Sequence, residues 1–136
     1  NYPEKETDVV LIVDSNNTTN INALKNLGFD VKDNQKIAFS DIVGTKMKLA
    51  NNNAFYTKLP TGNFIPNQDL QAVYDNPENT ELTISGILRI KDSSTMNLLA
   101  PGIAYSDALS TNMIAKTKTS DIVKAQEASN TNFMTN

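Results

Sequence analysis

Asp14, Asn16 and Thr18 in "DSNNTTN" (14–20) place an oxygen ligand at every second position, the spacing of the first three ligands of a calcium loop. Such a loop needs glycine at its sixth place and an acid at its twelfth. Here those places hold Thr19 and Lys25. The stretch therefore reads as an Asx-type turn after a strand. The chain contains no histidine and no cysteine. That removes Ser-His-Asp and Cys-His nucleophilic systems, zinc sites of His or Cys type, and His-based proton transfer. Neither Ser-x-x-Lys nor G-x-x-x-x-G-K occurs. Paired carboxylates remain as a possible acid and base, as in a glycosidase. The acids, however, fall in polar turns or at predicted helix starts: Glu4, Glu6 and Asp8; Asp41; Asp75 and Glu78; Asp107; Asp121. Caps and solvated loops account for them. An aromatic group, Phe55, Tyr56 and Phe64, could stack a sugar or contact a partner, with core or loop packing as the alternative. No catalytic residue, cofactor or metal is expected, and the domain itself is not expected to be an enzyme.

The whole chain agrees with that spare chemistry. Its 136 residues suffice for one ordinary domain with a core of its own. A net charge of −3 argues against a nucleic-acid binder, which needs a basic face. Arg89 is the only arginine, every other cation is lysine, and asparagine is the commonest residue type. This usage suggests an AT-rich bacterial genome. The longest apolar run, "VVLIV" (9–13), is far too short to cross a bilayer. No signal-peptide pattern is present, so any membrane anchors are expected outside this stretch.

The elements follow from period and punctuation. "DVVLIVD" (8–14) is a continuous apolar run ending in a turn, which predicts a buried strand. "NINALKNLG" (20–28) predicts a short helix, with Thr19 or Asn20 as cap, Ile21, Leu24 and Leu27 on one face, and Gly28 as stop. "FSDIVG" (39–44) reads as one helical turn capped by Ser40 and closed by Gly44. "TKMKLA" (45–50) reads as a strand with one wet face, and "NNN" (51–53) as a turn. Phe55–Thr57 begins strand-like and is broken by Pro60, Gly62 and Pro66. "NQDLQAVYD" (67–75) predicts a helix capped by Asn67, with Leu70, Val73 and Tyr74 inward. The strand 81–90 and the polar loop "KDSSTMN" follow. Ile103–Tyr105 predicts a strand leading into a helix near 106–115, capped by Ser106 with Ala108, Leu109 and Met113 apolar. A second helix, near 120–128, is capped by Ser120 with Ile122, Val123 and Ala125 apolar. The tail "NTNFMTN" has no period. With no repeat and no linker, residues 1–136 read as a single α+β domain: a small mixed or antiparallel sheet with short helices packed on it.

"TELTISGILRI" (80–90) poses the sharpest local question. Strict alternation puts Leu82, Ile84, Leu88 and Ile90 on one face, with Gly86 among them where bulk is wanted. Pairing 45–50 and 81–90 as antiparallel neighbours offers an answer. A mid-strand glycine there would allow a bulge where the sheet curls, making Gly86 structural.

The order "DVVLIVD", "LKNLGF", "DIVGTKMKLA", "ELTISGILRI", "GIAYSDAL" resembles the extracytoplasmic domain of MacB-like (FtsX-like) ABC-transporter permeases. Val43-Gly44 before Lys46, Met47, Lys48 and Leu49 matches one element of that pattern, and Ile84-Ser85-Gly86-Ile87-Leu88 the next. "SDIVKAQ" (120–126) looks like the Gram-positive version. The likeness runs from about Tyr2 to Ala128. It departs where about 30 residues separate two strands that the family often joins by a tight hairpin, and the flanking lobe is largely missing. The resemblance implies a module of a membrane-embedded, dimeric permease at the extracellular face of a low-GC Gram-positive cell. A cytoplasmic ATPase would drive it, with an extracytoplasmic adaptor protein or a peptide as partner and no nucleic acid. Gly44 and Gly86 would be structural, and Phe55, Tyr56, Phe64 and Ile65 in the 54–79 insert would be candidate partner contacts. A cell-surface binding or adhesion module, and a carboxylate-based hydrolase, remain alternatives.

Overall fold

The computed structural model describes residues 5–91 and 99–134. The expectations for Tyr2, Glu4 and most of the "KDSSTMN" loop lie outside these residues. The fold is α+β, a curled mixed sheet with short helices. Its contacts separate into two compact units, one drawn from Asn1–Met47 and Glu81–Leu109, the other from Lys48–Thr80 and Ser110–Asn136. The unit boundaries fall inside secondary-structure elements, where composition does not change.

The first unit is built on β1 (Asp8–Val13), in which every residue from Val9 to Val13 is buried. A continuous apolar run, without alternation, is what a strand covered on both faces requires. β1 pairs in parallel with β5 (Thr80–Arg89) and antiparallel with β6 (Gly102–Tyr105). β2 (Lys46–Leu49) lies beyond β5, giving the order β2-β5-β1-β6. Between β1 and β2 come α1 (Ile21–Asn26) and α2 (Phe39–Ile42). Asn20 caps α1 by accepting the Asn22 amide. Gly28, at φ +88°, closes it with two bonds, Gly28 N–H to the Lys25 carbonyl and Phe29 N–H to the Leu24 carbonyl. That is the Schellman geometry, and it turns Ala23 and Leu27 into the core. α2 starts one residue before the expected cap. Ala38 takes the cap position without a side-chain bond, and the Ser40 hydroxyl donates to Asp41 instead.

Gly44 is structural for a definite reason. Its φ is +91°, its amide donates to the Ile84 carbonyl at 2.8 Å, and the Ile84 amide donates to the Thr45 carbonyl at 2.9 Å. Two residues thus face one, with the glycine left-handed, which is a G1 bulge in an antiparallel pair. β2 and β5 are accordingly neighbours, as the sequence predicts.

Gly86 requires a correction. The irregularity in β5 lies in its parallel pairing with β1, where Val9 faces Ile84 but Val10 faces Gly86. Ser85 is the extra residue, and its hydroxyl donates to the Val9 carbonyl at 3.3 Å. Gly86 itself is outside the left-handed region, and a β-carbon there would meet nothing within 4 Å. The bulge needs no glycine. It also breaks the alternation: beyond it, Ile87 and Arg89 pair with Leu11 and Val13, so they share the face of Val9 and Ile84.

The second unit contains α3 (Asn52–Phe55), the hairpin β3 (Tyr56–Lys58) and β4 (Phe64–Pro66), α4 (Leu70–Asp75), most of α5 (Asp107–Lys118), and α6 (Asp121–Glu127). Its buried apolar residues are few: Ala54, Phe64 and Val73. Asparagine side chains tie the segments together instead. Asn51 caps α3 through the Asn53 amide, and Asn53 in turn accepts the Asp121 amide at the start of α6. Asn79 accepts the Asn51 amide and donates to the Val73 carbonyl at the end of α4, at 2.6 Å. Asn67 donates to the Ala54 carbonyl through its side chain and to the Phe55 carbonyl through its amide. The expected "NNN" turn is therefore the start of a helix, because Asn51 is a better cap than a turn residue. Likewise the cap of α4 is Asp69, accepting from Ala72, while Asn67 serves the turn before it.

The two C-terminal helices match expectation, with α5 running further than predicted. Ser106, buried, accepts the Leu109 amide at 3.2 Å. Ser120 occupies the cap position of α6, but its hydroxyl donates to the Thr117 carbonyl at 2.6 Å and closes the end of α5.

The two glycines make opposite predictions in urea denaturation. Gly44→Ala is expected to cost about 1–2 kcal/mol, since alanine must then sit left-handed. Gly86→Ala is expected to hold or raise stability by up to about 1 kcal/mol, through a less disordered unfolded chain.

Candidate functional site

The 54–79 segment lies wholly within the second unit, and its hydrogen-bonded turns decide which apolar side chains stay outside. Phe55 ends α3 instead of opening a strand, and remains 40% exposed. Its ring meets Tyr56 edge to face at 5.0 Å. β3 and β4 then pair with Tyr56 opposite Pro66, Thr57 opposite Ile65, and Lys58 opposite Phe64. Alternation across this hairpin sends Phe64 inward and Ile65 outward.

Phe64 is therefore a packing residue. It is buried, its amide donates to the Phe133 carbonyl at 3.0 Å, and the two rings meet edge to face at 6.5 Å. The Lys58 ammonium lies 5.8 Å over the Phe64 ring, adding a weak cation–π contact. The tip of the hairpin is held by a bond from the Gly62 amide to the Leu59 carbonyl at 2.9 Å. Pro60 and Gly62 occupy the second and fourth places of that turn, where each is favoured.

α4 supplies the residues that the sequence reading placed wrongly. Of Leu70, Val73 and Tyr74, only Val73 is buried; Leu70 is 72% exposed and Tyr74 is 55% exposed. A helix of six residues makes less than two turns, so one position can face the core while its neighbours overhang. The Tyr74 ring carries the Lys48 ammonium at 4.3 Å, and the same ammonium donates to the Tyr74 carbonyl at 3.0 Å. Phe55, Ile65, Leu70 and Tyr74 are thus presented on a framework fixed by Asn51, Asn67 and Asn79.

Several of the acids occupy structural positions. Asp14 Oδ1 accepts the amides of Asn16 and Thr18, and Oδ2 accepts the Thr18 hydroxyl at 2.6 Å. Those bonds, the Thr18 hydroxyl first, hold the Asp14 carboxyl below its ordinary pKa. Asp69 caps α4, while Asp41, Asp107 and Asp121 stand in the first turns of α2, α5 and α6, where the helix dipole favours them. Among the described residues, no three acids, histidines or cysteines group to hold a metal ion.

Two measurements check this arrangement. Phe64→Ala is expected to lose about 3–5 kcal/mol, whereas Leu70→Ser changes stability by no more than about 0.5 kcal/mol. The Asp14 turn adds an acid-sensitive contribution. Because its pKa is lower in the folded than in the unfolded chain, this stability is fully present above the ordinary carboxylate pKa and lost as pH falls through the folded pKa. Urea melts from pH 7 downward should show wild type converging on Asp14→Asn in that window, while the two remain apart above it.

No family model matches the chain, and neither a curated protein nor a solved structure matches it.

Proposed function

We propose that the chain is a partner-binding module of the extracytoplasmic part of a MacB-like permease, coupling a cytoplasmic ATPase to an adaptor protein or peptide outside the membrane. The observation that carries this reading is the set Phe55, Ile65, Leu70 and Tyr74: apolar side chains left exposed within one hydrogen-bonded segment. Aromatic and aliphatic anchors on a pre-ordered framework lose little entropy on docking, which is how interface hot spots operate. The adjacency of β2 and β5, with the Gly44 bulge entering the pair, supports the resemblance on which the permease assignment rests. The long insertion between those strands then carries the contact surface. Phe64 is buried and packs against Phe133, and Tyr56 is half-buried beside Phe55.

In the full-length protein, Leu70→Ser combined with Tyr74→Ser is expected to abolish adaptor or peptide binding while leaving the fold intact. Unchanged binding with a native melting curve would remove the 54–79 surface from the proposal. The gene should also encode about 20 consecutive apolar residues on each side of this stretch, with an ATPase gene alongside. A signal peptide with a cell-wall anchor in their place would instead make the same surface that of an adhesion module.

A further inference from the structure

The first unit contains an open cleft of about 660 Å³ at the carboxyl ends of the parallel strands β1 and β5. Val13 and Arg89, the last register pair of those strands, form one side. Phe39, Ile87 and Ile90 add apolar surface, and Ser15 and Lys91 also line it. The volume falls within the range that small-molecule sites occupy, and the carboxyl ends of parallel strands are where sheets of this kind open to ligands.

The Ser85 bulge sets which residues of β5 stand beside Val13. Unbroken alternation would put Leu88 and Ile90 on the face of Ile84. The extra residue brings Ile87 and Arg89 there instead, beside Val13. The only arginine of an acidic chain thereby stands beside Val13 at a hollow of mixed polar and apolar lining, with a lysine two residues on.

Neither cation is engaged by a hydrogen bond or ion pair among the described residues. Other lysines are: Lys46 bonds Glu81 at 2.7 Å, and Lys48 and Lys116 bond a carbonyl and a hydroxyl. Asp14, next to Val13 in the chain, is not among the described lining residues; its carboxylate accepts from the Asn16 and Thr18 amides and the Thr18 hydroxyl of its own turn. Among the described residues, the charged groups of the lining are Arg89 and Lys91, both positive. A guanidinium offers a planar fork that matches a carboxylate in two parallel bonds.

We infer that this cleft binds a small amphipathic carboxylate, with its anionic end on Arg89 and Lys91 and its apolar body against Val13, Phe39, Ile87 and Ile90. The inference is independent of the permease reading. It is tested by NMR titration of the intact chain with octanoate and with N-acetyl-leucine, each against its neutral analogue, octanol and N-acetyl-leucinamide. Saturable shifts confined to residues 13–15, 39 and 87–91 are expected for a carboxylate, with binding at least ~tenfold weaker for its neutral analogue. The tighter of the two carboxylates identifies the source as an acyl chain or a peptide terminus. Arg89→Met, at an exposed position, should keep the native spectrum and weaken binding by a similar factor. Absence of saturation by either carboxylate up to ~20 mM, equal binding of the neutral analogues, or unchanged binding by Arg89→Met would each overturn the assignment.

Discussion

Burial of β1 on both faces is the constraint from which the first unit follows. Five consecutive side chains, Val9 to Val13, leave water together. At about 1.5–3 kcal/mol each, their gross transfer free energy is comparable to the net stability of a whole domain. A strand so placed must also have both hydrogen-bonding edges occupied. β5 supplies one edge and β6 the other. Because β5 runs parallel, the chain must travel a long way before it can pair, and β6 then returns antiparallel to close the other side.

The second unit is stabilised by a different balance. With Ala54, Phe64 and Val73 as its buried apolar residues, it has little area to remove from water. Asparagine offers both a donor and an acceptor on a short side chain, so one residue can satisfy two backbone segments at once. Asn79 does so between Asn51 and α4, and Asn53 joins the α3 cap to the start of α6. Each bond contributes about 1 kcal/mol net, but an orphaned partner costs more, so such a network holds geometry more firmly than its net energy suggests. The abundance of asparagine thus has a structural use here besides any origin in codon usage.

Legibility in the sequence followed the range of the interaction. Local signals worked where the competing forces were local: the apolar run of β1, the Asn20 cap and Gly28 stop of α1, Ser106 before α5, and Gly44 before β2. They failed where a distant strand decided the outcome. Nothing within "TELTISGILRI" says that its partner on one side is parallel, so Gly86 attracted an explanation that belongs to Ser85. The same bulge hid Arg89, since strict alternation assigns it to the face opposite Ile84. Phe55 and Tyr74 were misplaced by short helices, whose ends are set by caps more than by period. The boundaries of the two units cut through β2 and α5, so no linker marks them in the sequence.

The parallel pairing of β1 with β5 has a consequence for the order of folding. Asp8 and Thr83, about 75 positions apart, begin the register. Closing a loop of that length costs roughly 2 kcal/mol more than closing one of ten residues, and nothing is recovered until the strands meet. Non-local pairing of this kind slows folding relative to a hairpin. The β3–β4 hairpin closes over a handful of residues and forms on a much shorter timescale. On the ribosome β1 emerges well before β5. In that interval the apolar run 9–13 waits without its parallel partner, flanked by the charges of Asp8 and Asp14, the placement in which gatekeeper residues guard an unavoidable hydrophobic strand.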